Sequence, residues 1–157
     1  MPTPKVLTLC FVQDGGRILL GKKKRGFGVG KWNGFGGKVE EGESVQDAAR
    51  RELREESGLE AQELEKCGRL EFDYQDGSTP LDVHFFRVTS FTGEPQETEE
   101  MQPQWFYADE IPFADMWPDD VHWMPLFFLK KKFEGKFLFE GYDKIIKRDL
   151  RVVEQLS

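Results

Sequence analysis

Glu52, Glu55 and Glu56 constrain this chain more than any other feature. They follow Ser44-Val45-Gln46-Asp47, which reads as an N-cap with an acidic first turn, and they precede Gly58, a good C-terminal stop, so one helix is predicted between these signals. Residues three and four apart are neighbours on a helix, which gathers the three carboxylates within about a quarter to a third of its circumference. Like charges at that spacing cost about 0.2–0.5 kcal/mol per pair in an isolated helix. Val45, Ala48 and Ala49 lie on much the same side, so the acidic cluster abuts the apolar stripe. A hard divalent cation resolves the conflict: Mg²⁺, or Mn²⁺ in its place, takes oxygen ligands from one or two carboxylates, from water and from substrate phosphates. Arg51 is placed to orient a carboxylate through a two-pronged ion pair, with Glu43 as partner if the intervening loop folds back.

Composition narrows what such a helix can serve. A net charge of −7 disfavours a nucleic-acid polymer, whose binding normally needs a basic face. A small nucleotide arriving with its own metal is compatible, because the metal screens its phosphates. The 157 residues fit one domain spanning 1–157, and 14 Phe with 4 Trp predict a core or ligand pocket rich in rings. Cys10 and Cys67 are too few for a disulfide framework and lack metal-ligand spacing, which points to a reducing compartment. The first twelve residues lack the parts of a secretory signal, and no run approaches membrane-spanning length. A soluble intracellular monomer without a membrane partner is expected.

Strands and turns surround the predicted helix. Val6–Val12 and Arg17–Leu20 flank the Asp14-Gly15-Gly16 turn, with Thr8 read as a solvent-facing polar position, and the six glycines between Gly26 and Gly37 predict an irregular loop. Leu70, Phe72 and Tyr74 alternate with polar residues, as do Leu81, Val83 and Phe85, on either side of Asp76-Gly77. Trp105–Tyr107 suggests another strand, and Asp119 or Asp120 can cap a helix reaching Leu129 and closing on Lys130–Lys132. Phe137–Phe139 and Ile145–Val153 read as closing strands around Gly141-Tyr142-Asp143. The mixture predicts an α/β or α+β sandwich.

Gly37, Glu43, Arg51-Glu52-Leu53, Glu55-Glu56 and Gly58-Leu59 together resemble the signature of the Nudix hydrolases without a departure. Seven fixed positions match by accident at a given place with a probability on the order of 10⁻⁸. Beyond the signature, Lys22–Gly28, Lys31–Lys38, Leu81–His84, Glu99-Glu100-Met101 and Ile111–Asp120 are similar to the MutT-homologue branch of that family, the oxidised purine nucleoside triphosphatases of animals. The resemblance implies the Nudix fold, an α/β/α sandwich with a mixed, curved sheet flanked by helices. It also implies hydrolysis of 8-oxo-dGTP, 2-hydroxy-dATP and related nucleotides to monophosphate and pyrophosphate, in the cytoplasm and further in the nucleus and mitochondria.

Residue by residue, the resemblance makes Gly36, through its carbonyl, and Glu52, Glu55, Glu56 and Glu100 metal ligands, with Arg51 in the catalytic set; Glu56 and Glu100 are both candidates for the base. Substrate contacts are implied for Thr8, Lys23, Phe27, Asn33, Phe35, Gly36, Gly37, Lys38, Phe72, Tyr74, Leu81, Met101, Trp117, Pro118, Asp119 and Asp120. Asn-Gly at Asn33 is also a turn signal, and its amide offers both a donor and an acceptor to a purine edge. Trp117 offers a ring on which a base can stack, while each of Phe27, Phe72 and Tyr74 taken alone reads more readily as core than as pocket. Asp119 and Asp120, as adjacent carboxyls in a partly desolvated pocket, are expected to share a proton and so to donate or accept. Leu81, Tyr74 and Pro2 depart from the family pattern near the pocket; His84 and His122 read as structural. A Nudix enzyme for another nucleoside diphosphate derivative and a non-catalytic nucleotide sensor stand as alternatives.

Overall fold

The computed structural model describes residues 2–157. Its strands are β1 (Lys5–Asp14), β2 (Arg17–Lys23), β3 (Trp32–Asn33), β4 (Glu60–Tyr74), β5 (Leu81–Thr92), β6 (Met101–Tyr107), β7 (Lys132–Glu140) and β8 (Lys144–Val153), with helices α1 (Val45–Ser57) and α2 (Asp120–Phe128). All the strands join one mixed sheet, ordered β3-β2-β1-β5-β4-β7-β8, with β6 also paired to β2. β1 runs parallel to β5 and β4 parallel to β7; the remaining pairs are antiparallel. The expected sandwich is present, with one helix packed against each face.

Side chains along a strand point alternately to opposite faces, and β1 uses both. Cys10 and Val12 join Leu19, Phe35, Phe86 and Val88 under Ala49 and Leu53 of α1. Phe11, between them, joins Phe85 and Phe133 under Trp123 and Phe127 of α2. Six successive residues of β5, Val83 to Val88, are buried because both faces are covered. Arg87 is among them, and its guanidinium donates to the Phe127 carbonyl at 2.5 Å near the C-terminal end of α2, where a cation is favoured.

Helix α1 lies where its sequence signals put it: the Ser44 hydroxyl accepts from the Asp47 N–H, and Gly58 ends the helix at φ 80°. Elsewhere the elements differ from expectation. Strand β4 begins at Glu60, ten residues before its alternating segment, and its register against β5 shifts three times on the way. The glycine-rich segment contains the short strand β3, and its Phe35 and Lys38 bridge back to Cys10 and Leu7 of β1. Helix α2 stops at Phe128 rather than Leu129, Lys130 has a φ of 59°, and Lys132 already belongs to β7. Thr8 is fully buried, so its solvent-facing reading is overturned: the glycine segment lies along β1 and covers it.

Gly68 shows how tightly the sheet meets the core. A Cβ there would lie 2.3 Å from the ring of Phe133, which is itself wholly buried. Gly68→Ala is expected to destabilise the fold by about 1–3 kcal/mol, the usual cost of overpacking. Urea denaturation measures it, and an unchanged midpoint would show that Phe133 can yield.

Candidate active site

The catalytic end of the site is built where the glycine segment is pressed between β1 and α1. Thr8 N–H donates to the Gly37 carbonyl at 2.9 Å, and Cys10 and Phe35 exchange backbone hydrogen bonds of 2.7 and 2.9 Å. A Cβ on Gly36 would sit 1.7 Å from the Thr8 carbonyl oxygen, and one on Gly37 would sit 2.7 Å from the Glu52 carboxylate. Only glycine fits at Gly36, where the obstacle is backbone, while a side chain at Gly37 would displace the Glu52 carboxylate. The Gly36 N–H donates to Glu56 Oε1 at 2.8 Å.

Arg51 organises the acidic groups around this seat. Its guanidinium grips Glu43 at 2.7 and 3.0 Å, as the fold-back of the loop predicted, and also reaches Glu52 at 2.9 Å and Glu55 at 3.3 Å. Hydrogen bonding to Arg51 holds the Glu43 carboxyl down at about 2. Glu52 is pushed up, by burial first, with Arg51 opposing and Glu55 adding to the rise. Glu56 lies beyond the reach of that cation. Burial, reinforced by the charge of Glu52 and only partly offset by the Gly36 N–H, pushes it up to about 7.

Glu100 stands apart from the helix cluster. Its carboxylate takes Arg25 at 2.6 and 2.9 Å and Lys23 at 3.5 Å, and Arg25 holds it below the usual range. Among the described residues no three acidic, imidazole or thiol groups converge closely enough to hold a metal as they stand. The neighbouring cations are partnered too, Lys24 with Glu97 at 2.6 Å and Arg25 with Glu99 at 3.4 Å.

A cavity of about 260 Å³ opens beside this cluster, with Glu56, Lys23, Thr8, Gly36 and Gly37 at one part of its wall. Phe27, Asn33, Phe72, Tyr74, Leu81, Met101, Trp117, Asp119 and Asp120 are also in its lining. Asn33 commits its side-chain oxygen to the Gly34 N–H at 2.8 Å, which leaves its amide N–H₂ as the group to offer. Phe27 lies against Trp117, with ring centroids 5.1 Å apart and an interplanar angle of 24°.

Asp119 and Asp120 are buried, and neither side chain caps α2 although Asp119 occupies the capping position. Both turn to the indole of Trp123, whose N–H donates to Asp119 Oδ2 at 2.9 Å and to Asp120 Oδ1 at 3.1 Å. Asp120 Oδ2 and Thr8 Oγ1 are buried without a partner, and both residues line the cavity, an arrangement proteins keep where a ligand supplies the bond. Burial raises both carboxyls above the ordinary aspartate range, and for Asp120 the neighbouring Asp119 charge adds to the rise.

Three expected contacts fall elsewhere. Phe35 points into the core between sheet and α1, because its strand-like bridge to Cys10 fixes its face. Lys38 is exposed and gives only its carbonyl, to Arg51 at 3.2 Å, while Pro118 lies outside the lining. His84 sits 3.6 Å from Asp82 and His122 pairs with Arg148, both away from the cavity. Trp123 and Tyr142 were missed. The signal for Trp123 was its spacing, three and four residues after the two aspartates on one helix face; Tyr142 sits in a turn, and no sequence signal marked it.

Two outcomes follow from these contacts. Arg51→Ala releases Glu43, Glu52 and Glu55 together, and steady-state turnover is expected to fall about 10–100-fold, with Arg51→Lys failing to restore it because a point charge cannot replace the fork. A raised carboxyl binds its proton more tightly in the folded chain than in the unfolded one. Its stabilisation is therefore whole below the ordinary aspartate pKa and is lost as pH rises through the raised value. In urea titrations from acid to neutral pH, Asp120→Asn is expected to gain stability relative to the parent; parallel curves would refute the assignment.

The comparisons with known proteins agree with this geometry. The model described as "NUDIX domain" matches residues 1–127. "Oxidized purine nucleoside triphosphate hydrolase" of Danio rerio is 54% identical over 99% of this chain and the whole of that protein, and its namesake of Mus musculus is 52% identical over 98% and 99%. Among solved structures, the MutT protein of Bacillus halodurans superposes with a TM-score of 0.82 at 25% identity, covering 93% of this chain and 97% of that one. With a matched domain of that extent, a helix carrying the acidic cluster and a glycine seat fitted to it, the chain belongs to the Nudix hydrolase family.

Proposed function

We propose that the chain hydrolyses oxidised purine nucleoside triphosphates, such as 8-oxo-dGTP and 2-hydroxy-dATP, to the monophosphate and pyrophosphate. One observation carries the reading: a single cavity joins buried, unpartnered polar atoms suited to a purine edge with the Glu56 carboxylate under the glycine seat. The two relatives named for that activity match over nearly the full length.

The donor chemistry fits Mg²⁺, with Mn²⁺ as substitute. Glu52, Glu55, Glu56 and the Gly36 carbonyl are all hard oxygen donors, and Glu56 is not among the carboxylates that Arg51 grips. Glu100 joins that set in the reading if Lys23 and Arg25 release it. When bound, the metal supplies charge that neutralises phosphate oxygens in the transition state. Lys23, which lines the same part of the cavity, holds the polyphosphate. Glu56, which faces the cavity, takes the proton of the attacking water in preference to Glu100, which Arg25 and Lys23 occupy.

Asn33 donates its amide to the base, while Asp119 and Asp120 share one proton and exchange the roles of donor and acceptor. That exchange admits both oxidised guanine and oxidised adenine, whose edges differ in donor and acceptor pattern. Buried, unbridged Cys10 and Cys67 suit a reducing, cytoplasmic setting.

The test is product analysis in ¹⁸O-labelled water across a nucleotide panel. Pyrophosphate release from 8-oxo-dGTP, abolished by EDTA and lowered about 10²–10⁴-fold in Glu56→Gln, is the expected result. In the same panel Asp119→Asn and Asp120→Asn change the ratio of oxidised guanine to oxidised adenine use. Preference for an undamaged diphosphate conjugate, or tight binding without turnover, would overturn the assignment.

A further inference from the structure

Tyr142 has no role in the site described so far, yet it lines the cavity. It is carried by the turn between β7 and β8, where Gly141 takes a φ of 63°, far in sequence from the glycine segment. Its ring meets Phe27 edge-on, with centroids 5.0 Å apart and planes at 76°, and meets Tyr74 similarly at 5.5 Å and 68°. Both geometries are the edge-to-face kind that aromatic rings favour. With Phe27 on Trp117 and Tyr74 on Phe139 at 5.9 Å, the rings form a continuous chain along the cavity wall, drawn from separate segments of the protein.

Phe27 is the member of that chain that needs support. It stays 63% exposed, and its loop carries Gly26, Gly28 and Gly30 at φ of 80°, 85° and 84°. Glycines there give the backbone many alternatives, so the loop conformation depends on what its side chains touch. Gly28 passes close enough over Trp117 that a Cβ would lie 3.1 Å from the indole. A displaced Phe27 therefore carries the loop away from Trp117.

We propose that Tyr142 is a positioning residue for the base pocket: its ring clasps Phe27 from the β7–β8 turn and holds the glycine loop closed on Trp117. The consequence for the substrate rests on the base-pocket reading above; the clasp itself does not. The ring contacts of Tyr142 are with Phe27 and Tyr74, both on the base side of the cavity, so it acts on substrate capture and leaves the chemical step alone. The ring, not the hydroxyl, makes both contacts.

Amide exchange in the free protein tests the clasp without any nucleotide. In Tyr142→Ala the N–H groups of Val29, Gly30 and Lys31, now bonded to Gly26, Lys23 and Gly28, are expected to exchange about five- to tenfold faster. Tyr142→Phe should exchange like the parent. KM for the oxidised triphosphate should rise by a similar factor in Tyr142→Ala with kcat unchanged, and in a Phe27→Ala background the same change should add nothing. Unaltered exchange in Tyr142→Ala, a fall in kcat with KM unmoved, or failure of Tyr142→Phe to restore the parent would overturn the proposal. Faster exchange in a protein that turns over no oxidised purine would uphold the clasp and overturn the substrate reading instead.

Discussion

The approach of Gly36 and Gly37 to both β1 and α1 is the contact on which the site depends. Strand pairing with β1 fixes the segment from one side, and the Glu52 and Glu56 carboxylates meet it from the other. No side chain fits between Gly36 and β1, so the segment lies flat on the strand and the acidic helix stays at contact distance from the cavity floor. The same closeness removes water from the carboxylates, and removal of water is what makes their mutual repulsion strong. Arg51 relieves it for three of them through its planar fork, which a lysine could not offer. Glu56 is left outside that relief, buried beside the substrate cavity, and the chemistry proposed for it starts from this unresolved charge.

Two kinds of buried acid therefore coexist, held by different means. Around α1 a cation and backbone donors face the carboxylates and oppose the effect of burial, most fully at Glu43. Asp119 and Asp120 have no such cation, only the neutral N–H of Trp123 between them, and a neutral donor cannot support two adjacent charges. Their environment favours retention of a proton. Trp123 can hold them because its ring is clamped in the core by Phe11, Phe85 and Phe133. The polar end of the pocket is thus set by the most apolar part of the protein.

Helix α1 was legible because every determinant of its position is local: a cap, a spacing, a stop. The same holds for the fold-back of Glu43 onto Arg51. What sequence could not give is the face that a residue presents inside an irregular segment. Phe35 and Lys38 sit in the same glycine run as Asn33 and Gly36, yet their bridges to β1 turn them away from the cavity. Asp119 carried a cap signal, and it occupies the cap position without capping, because a buried indole outcompetes the backbone for its carboxylate. Tyr142 was invisible for another reason: its partners are distant in sequence, and a turn residue between two strands carries no periodicity.

Phe72 and Phe139 belong at once to the core under α2 and to the cavity wall, with Tyr74 and Leu81 packed against that core. Close-packed interiors transmit changes of shape, so a substitution at these positions reshapes the pocket through its neighbours as well as directly. Glu52 and Glu56 lie on the α1 side, seated by glycine backbone that this packing does not include. In the function proposed above, the base is read mainly from the aromatic side of the cavity and the phosphate from the side of α1. Leu81 and Tyr74 both pack on the aromatic side of the cavity, so in the function proposed above they act on which base fits and not on how the phosphate is cut.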